Sequence, residues 1–193
     1  MKQGENGRWK LFLVLAICAA PLVFSYITYY VIKPSGRTNY GTLLDPRLYP
    51  IPVLSSVVQG GGAEELSAYK GRWIMLQVSA SACELACKTN LYNARQLRLA
   101  QGKDMDRIER VWLIPDQQPL ETRLLREYDG VHFLRADVKK LAAWLPVEPG
   151  GSMEDRLYLI DPLGNLMMRY PVDADPNKIK KDLIKLLKAS AIG

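Results

Sequence analysis

The chain has 193 residues, of which 48% are hydrophobic, and its formal net charge is +6 at pH 7. This length suits one membrane anchor and one domain of ordinary size, and the apolar content suffices for a real core. No nucleic-acid-binding motif is present. The largest basic cluster alternates with apolar residues at helical spacing, which favours a solvated helix face over a nucleic-acid or lipid-headgroup patch. Its members are Lys178, Lys180, Lys181, Lys185 and Lys188.

An uncharged apolar run extends from Leu11 to Ile32, long enough to cross a bilayer, which takes roughly 20 apolar residues. Trp9 precedes the run and three tyrosines close it, as in the aromatic belts of membrane helices, and Pro21 is tolerated there. The alternative is a cleaved signal peptide, whose apolar region spans about 7–15 residues and ends in small residues. The longer run predicts a retained anchor, and its closing tyrosines are Tyr26, Tyr29 and Tyr30.

Basic residues flank this run on both sides, with a weak excess close to its N-terminal end. The positive-inside rule therefore predicts a cytoplasmic N-terminus, and in a bacterium it predicts an inner-membrane protein whose domain lies in the periplasm. We expect four segments: a cytoplasmic N-terminus at 1–10, a transmembrane helix at 11–32, a linker and lead-in at 33–62, and the domain at 63–193. The flanking residues are Lys2, Arg8 and Lys10 before the run, and Lys33, Arg37 and Arg47 after it.

The linker is rich in Pro, Gly and Ser, which predicts a tether and an irregular lead-in. Strands are then predicted at Arg72–Ala80, Arg110–Ile114, Val131–Arg135, Leu157–Asp161 and Leu166–Tyr170. Helices are predicted at Leu85–Gln101, at Leu120–Tyr128, at Val138–Leu145 and after Asp175-Pro176. This alternation, followed by a hairpin and a helix, predicts an α/β thioredoxin-like fold. We expect a mixed central sheet flanked by helices, mainly parallel with an antiparallel edge, and one extra helix–strand insertion.

Two of the three cysteines lie at the predicted junction between the first strand of the domain and its first helix. Cys83 and Cys87 are four residues apart, so on one helix face their sulfurs would meet within the distance that a disulfide needs. A helix N-terminus also stabilises a thiolate. Cys18 lies in the apolar run and is interpreted as inert.

A thiolate is the nucleophile of disulfide exchange and also a ligand for a soft metal. Two functional hypotheses therefore remain open for Cys83 and Cys87, namely a dithiol redox couple and a Cu(I) site. A structural disulfide, or two buried thiols without a role, is the alternative to both.

The segment Gly71–Leu76 leading to Cys83-Glu84-Leu85-Ala86-Cys87 resembles the Sco/SenC proteins, which also carry Cys-x-x-x-Cys after such a strand. Leu157–Gly164 resembles the hairpin of that family, and Leu66–Gly71 resembles its lead-in. The resemblance is patchy over residues 50–190. It implies a membrane-anchored thioredoxin-like factor for copper-centre assembly in cytochrome c oxidase, with an oxidase subunit or another assembly factor as partner.

The sequence departs from the Sco/SenC pattern at two places that matter for copper. Lys88 stands where the family usually has Pro, and the family's copper-ligating His is missing. By alignment its position falls at or near Met153, whose soft thioether is a candidate third copper ligand beside the two cysteines. The one histidine, His132, begins a predicted strand and should lie at the end of the sheet opposite Cys83.

We therefore expect an oxidase assembly factor that acts by thiol–disulfide exchange, by Cu(I) transfer, or by both. Cys83 should be the more acidic, attacking thiol, and Cys87 should resolve the mixed disulfide. The alternative is a non-catalytic thioredoxin-like scaffold that binds an oxidase subunit or assembly partner and carries a structural disulfide. A peroxiredoxin-like peroxidase is a weaker third hypothesis, because nothing beside Cys83 resembles the Thr and Arg support of that family.

Overall fold

The computed structural model describes residues 5–32, 39–54, 57–58, 62, 64–154 and 156–192. It separates the chain into two units, Met1–Thr38 and Asn39–Gly193. Residues 1–4 of the expected cytoplasmic segment, and residues 33–38, 55–56 and 59–61 of the expected linker, lie outside the described residues.

The first unit contains the helix α1, Glu5–Ile27, which continues as a short π-helix at Thr28–Ile32. Pro21 lies inside α1 without ending it, as expected for a membrane helix. The stretch Arg8–Val31 is long and apolar enough to cross a membrane, and none of its most apolar window is buried within the described structure. The predicted N-terminal apolar helix is therefore confirmed as a candidate membrane span.

The second unit is built on one seven-stranded sheet in the order β1-β7-β6-β3-β4-β5-β2. The strands β3, β4 and β5 are parallel to one another, and every other pairing among the described strands is antiparallel. The central β3 lies between β4 and β6, and all of its side chains are buried. The strands are β1 (Thr42–Leu43), β2 (Val57–Val58), β3 (Trp73–Val78), β4 (Ile108–Ile114), β5 (His132–Arg135), β6 (Leu157–Ile160) and β7 (Leu166–Arg169).

Four helices cover the two faces of this sheet: α2 (Leu85–Leu99), α3 (Thr122–Glu127), α4 (Val138–Trp144) and α5 (Pro176–Ala189). Alternate side chains of β3 lie on opposite faces of the sheet, as the two-residue period of a strand requires. Ile74 and Leu76 pack into the cluster that includes α4, whereas Trp73 and Met75 pack into the cluster that includes α2 and α5. A third cluster joins α2, α3 and the two cysteines of the domain.

The predicted strands and helices of the domain are all confirmed in kind, with ends that differ by at most two residues. Asp175 caps α5 by accepting a hydrogen bond from Asn177 N at 2.8 Å, and Pro176 occupies the first helical position, as expected. The predicted turn between β6 and β7 is also present, with Gly164 at a positive φ of 89° that favours glycine.

Two expectations about the sheet are wrong. The lead-in is not wholly irregular, because it contributes β1 and β2 to the two edges of the sheet. These strands have two residues each, too few to show an alternating pattern, and their pairing with β7 and β5 defines them. The sheet is mixed but not mainly parallel, since only two of the six pairings in the described part of the chain, β3–β4 and β4–β5, are parallel.

Candidate functional site

The two cysteines of the domain form a disulfide at the carboxyl end of β3. Cys83 Sγ and Cys87 Sγ are bonded, and their Cα atoms are 5.1 Å apart. The strand β3 ends at Val78, a loop covers residues 79–84, and α2 begins at Leu85. The expectation that the two sulfurs meet at a strand-to-helix junction is therefore confirmed.

The geometric reason predicted for this pairing is wrong, because the cysteines do not share a helix face. Cys83 lies two residues before α2, and only Cys87 lies in its first turn. Cys83 has a φ of 41°, in the left-handed region that a residue with a side chain rarely adopts. This turn of the backbone directs the chain back towards Cys87. Non-glycine residues held in this region are concentrated at functional sites, where the surrounding structure maintains the strain.

The disulfide is buried but borders a cavity of about 380 Å³. Cys83 is 2% exposed and Cys87 is 5% exposed, whereas the neighbouring Leu85 is 81% exposed. The cavity wall is formed by the loop after β3, by the first turn of α2 and by Glu154 from the loop before β6: Ser79, Ala80, Ala82, Cys83, Glu84, Leu85, Ala86, Cys87 and Glu154. The two cysteines thus form part of a cavity wall, although each is almost wholly buried.

Hydrogen bonds hold the disulfide and its loop from the side of the sheet. The buried Gln77 of β3 donates from Nε2 to Cys87 Sγ at 3.5 Å. The indole Nε1 of Trp112 on β4 donates to Ser79 O at 2.8 Å, and Cys83 N donates to Ala80 O at 3.0 Å. The predictions did not include Gln77 as a site residue, although it is the one polar residue in the apolar run of β3.

Asp116, just after β4, anchors the same loop. Its carboxylate accepts a hydrogen bond from Ser81 N at 2.8 Å and lies 3.8 Å from Arg135 Nη1. Burial alone would raise the pKa of Asp116, but hydrogen bonds from Ser81 and Gln118, together with the charge of Arg135, hold this pKa below its usual value. The carboxylate therefore stabilises the loop in its charged form.

The histidine lies far from the disulfide, as the sequence predicts. His132 begins β5, and its register partner on the parallel β4 is Val111, so it lies towards the amino ends of these strands. Its Nε2 lies 3.1 Å from Glu109 Oε2, and its ring contacts the ring of Tyr69 with centroids 4.2 Å apart. Disulfide and histidine therefore occupy opposite ends of the parallel strands.

Met153 lies on the loop before β6, next to Glu154 of the cavity wall. It is partly buried against the core cluster that includes α4, and its backbone oxygen accepts a hydrogen bond from Tyr158 Oη at 3.3 Å. Its neighbour Glu154, rather than Met153, forms part of the cavity wall. Among the described residues, no group of three or more His, Cys, Asp or Glu side chains could hold a metal ion. Methionine is not one of these residue types, so a copper-ligand role for Met153 stays a prediction.

A disulfide at the junction of a central strand and the following helix, on a mixed sheet with helices on both faces, defines a thioredoxin-like domain. Residues 73–190 match the family model described as "Transmembrane-like, thioredoxin-like, C-terminal domain". The chain therefore belongs to this thioredoxin-like family, and the predicted fold class is confirmed. No curated protein sequence matches the chain.

Solved structures of Sco proteins share this fold. Copper-bound ScoI from Bradyrhizobium japonicum is 21% identical, with a TM-score of 0.52 over 71% of this chain and 98% of that one. Apo Sco1 from Thermus thermophilus is 20% identical, with a TM-score of 0.58 over 79% of this chain and 99% of that one. BsSco, described as a member of the Sco family of cytochrome c oxidase assembly proteins with a disulfide switch, is 18% identical, with a TM-score of 0.54 over 75% and 95%. At these identities the resemblance to Sco/SenC proteins is confirmed for the fold.

The anchoring role of Asp116 predicts how the stability of the domain depends on pH. Because the pKa of Asp116 is below its usual value of 3.8 in the folded protein, its stabilisation is fully present above pH 3.8 and is lost as the pH falls through the lower, folded value. Asp116→Asn should therefore lower the unfolding temperature at neutral pH. The difference from the wild type should shrink as the pH falls from 3.8 towards about 2.

Thermal unfolding of the full chain in detergent micelles, followed by circular dichroism, measures this dependence. Asp106→Asn is the matched control, because Asp106 forms an ion pair with Arg98 at 2.9 Å but is mostly exposed, and such surface pairs contribute little. A constant difference between Asp116→Asn and the wild type across this pH range would contradict the role given to Asp116.

Proposed function

We propose that this protein is a membrane-anchored assembly factor for cytochrome c oxidase that acts by thiol–disulfide exchange between Cys83, Cys87 and a partner protein. The observation that carries the proposal is the Cys83–Cys87 disulfide at the wall of a cavity. A redox-active disulfide must be attacked by an external thiolate, and this attack requires access to one of its sulfur atoms. Two similar structures support a role in oxidase assembly. One is a Sco protein described as copper-bound, and the other is described as having a disulfide switch and as belonging to a family of oxidase assembly proteins.

The exchange runs in two steps. The thiolate of Cys83 attacks one sulfur of a partner disulfide, forms a mixed disulfide and releases the first partner thiolate. Cys87 then attacks Cys83 Sγ as a thiolate, re-forms the internal disulfide and releases the second partner thiolate. The partner gains two electrons, and a reducing dithiol must return two electrons to this protein before the next cycle.

The proposed location is the bacterial inner membrane, with one span and a periplasmic domain. In this proposal, residues 1–10 are cytoplasmic, 11–32 cross the membrane, 33–62 link the span to the domain, and 63–193 form the domain. The candidate span at Arg8–Val31 supports an anchor. The disulfide supports an oxidising compartment, because disulfides persist in the periplasm and are rare in the cytoplasm.

Cu(I) is the second cargo that the site suits, through the same two sulfurs. After reduction, two soft thiolates would be available on one side of the cavity, and soft ligands select Cu(I). A third soft donor nearby would strengthen the site, and Met153 is the proposed one because it adjoins Glu154 of the cavity wall. Its side chain would have to turn from the core cluster towards the sulfurs. We therefore rank thiol exchange above stable copper storage.

Replacing both cysteines tests the proposed function directly. In a strain that lacks this protein and has an oxidase defect, Cys83→Ser with Cys87→Ser should fail to restore cytochrome c oxidase activity of the membranes, because no exchange or Cu(I) transfer remains. Cys18→Ser is the matched control and should restore full activity, because Cys18 lies in the candidate membrane helix and not in the disulfide.

Immunoblots should show equal amounts of all variants in the membrane fraction. Full restoration by the double variant would instead establish the non-catalytic scaffold, in which the domain binds an oxidase subunit or assembly partner and the disulfide is structural.

Copper transfer predicts one-to-one binding of Cu(I) to the reduced full chain in detergent micelles, measured anaerobically against a competing chelator. Cys83→Ser should abolish this binding, because one thiolate and Met153 hold the ion too weakly. Met153→Ala should weaken it by more than about tenfold, since even the outer partners of metal ligands contribute that much.

Met105→Ala is the control, because Met105 is also partly buried but lies in the 3-10 helix Gly102–Arg107, beyond the far end of α2. Equal affinity of Met153→Ala and the wild type would exclude Met153 as a ligand, and failure to compete with the chelator would remove copper from the proposal.

A further inference from the structure

Gln77 is a buried polar residue whose two amide atoms have different surroundings. It lies on the central β3, is 2% exposed, and donates from Nε2 to Cys87 Sγ at 3.5 Å. Its Oε1 has no hydrogen-bond partner among the described residues. A buried acceptor without a partner is costly, so this oxygen calls for a donor.

Arg110 on the adjacent β4 is a buried cation that has no carboxylate partner among the described residues. It is 7% exposed, and its Nη2 donates to Asp129 O at 2.9 Å. Its Nε and Nη1 have no hydrogen-bond partner, and it forms no ion pair within the described part of the chain. A charge in such surroundings is stabilised by any negative charge that comes near it.

Burial, together with the charges of Arg98 and Arg95, lowers the pKa of Arg110, while Asp129 and Glu109 act in the opposite direction. Burial is the largest of these effects. The positive charge of the Arg110 guanidinium is therefore only partly balanced by the groups around it.

The side chains of Gln77 and Arg110 face the same small cavity. In the parallel register, Met75 is the partner of Arg110 and Trp112 is the partner of Gln77, so Gln77 and Arg110 lie diagonally on one face of the sheet. The cavity measures about 10 Å³, which is about the space for one water molecule. It is lined by Met75, Gln77, Leu91, Ala94, Arg110, Val111, Val131 and Leu157. One water there would accept from the guanidinium and donate to Gln77 Oε1.

We propose that Gln77 and Arg110, bridged by one buried water, form a relay that stabilises the negative charge on Cys87 Sγ when the disulfide opens. Gln77 contacts the leaving sulfur itself, whereas Arg110 acts through Gln77 and is a positioning residue. The inference rests on the redox function proposed above, in which Cys83 is the sulfur that exchanges with external thiols, and it adds what stabilises Cys87 as it leaves.

The reductive step conserves atoms and electrons. The thiolate of a reducing dithiol forms a bond to Cys83 Sγ, the Cys83–Cys87 bond breaks, and its electron pair passes to Cys87 Sγ. The second thiol of the reductant, as its thiolate, then displaces Cys83 and closes the oxidised reductant. Gln77 Nε2 donates to the sulfur that receives the negative charge, and Arg110 polarises this amide through the water.

The carboxylates near the disulfide do not provide this bias. Glu84 and Glu154 line the open cavity, and a carboxylate there disfavours a neighbouring thiolate. Within the described residues, no side chain donates a hydrogen bond to Cys83 Sγ, so the stabilisation from the sheet reaches Cys87 alone.

The test is the redox equilibrium of the full chain in detergent micelles with dithiothreitol, for the wild type, Gln77→Met, Arg110→Met and Arg110→Lys. Removing either relay residue should destabilise the reduced form. The equilibrium should then shift about tenfold towards the disulfide, equivalent to a reduction potential about 30 mV more negative. Arg110→Lys should keep most of the wild-type value, because it retains the positive charge.

Met75→Leu is the matched control, because Met75 borders the same cavity without a charge or hydrogen bond, and it should leave the equilibrium unchanged. Near-ultraviolet circular dichroism verifies that each variant is folded, and Gln77→Met provides the test if Arg110→Met does not fold.

As a second readout, a Cys87→Ser variant and a Cys83→Ser variant are each incubated with an aromatic disulfide. The relay predicts that adding Gln77→Met slows the reaction of the Cys87 thiol, measured in Cys83→Ser, more than it slows the reaction of the Cys83 thiol, measured in Cys87→Ser.

Unchanged equilibria in folded Gln77→Met and Arg110→Met would overturn the relay and leave the proposed redox function intact. The relay is overturned in the same way if Gln77→Met slows Cys83 as much as it slows Cys87. A disulfide that excess dithiothreitol does not reduce in the folded wild type would contradict both the relay and the redox function.

Discussion

The site depends on how the chain leaves the central strand. β3 is held between β4 and β6 and is buried along its whole length, so the position at which the chain emerges after Val78 is set by the sheet. Trp112 and Asp116 then hold the loop by hydrogen bonds to Ser79 and Ser81. With the loop held on both sides, the unfavourable backbone conformation of Cys83 is maintained, and its sulfur meets Cys87 in the first turn of α2.

Much of this domain could be predicted from the sequence, because its long elements have clear periodic patterns. The run of β3 and the amphipathic α5 were recognisable without tertiary information. The strands β1 and β2 were not, because two-residue edge strands exist only through their pairing with β7 and β5. The conformation of Cys83 was also not predictable, since a cysteine at position i and another at i+4 suggest a helix. Gln77 is visible in the sequence as a polar residue within an apolar strand. Nothing in the sequence shows that Arg110 faces the same cavity as Gln77.

The one histidine of the chain does not lie beside the disulfide. The disulfide is present at the expected place, but the one histidine lies at the amino end of β5, beside Glu109 and Tyr69. A copper site here would have to draw its third donor from elsewhere, and Met153 first has to leave its contacts with the core cluster. Thiol exchange needs no such rearrangement, because the sulfurs, the cavity and the polar groups behind Cys87 are already in place.

The proposed function requires the disulfide to cycle between oxidised and reduced forms in the living cell. The most direct measurement is its redox state in growing cells that produce Cys18→Ser protein, quenched with acid and labelled with a thiol-reactive polyethylene glycol. In this variant only Cys83 and Cys87 take up label, so each reduced molecule gains two labels on a gel. We expect both the unlabelled and the doubly labelled forms, in proportions that change when the cellular pathways that reduce the disulfide are removed. A fully unlabelled population under every condition would contradict the account and identify the disulfide as a structural bridge.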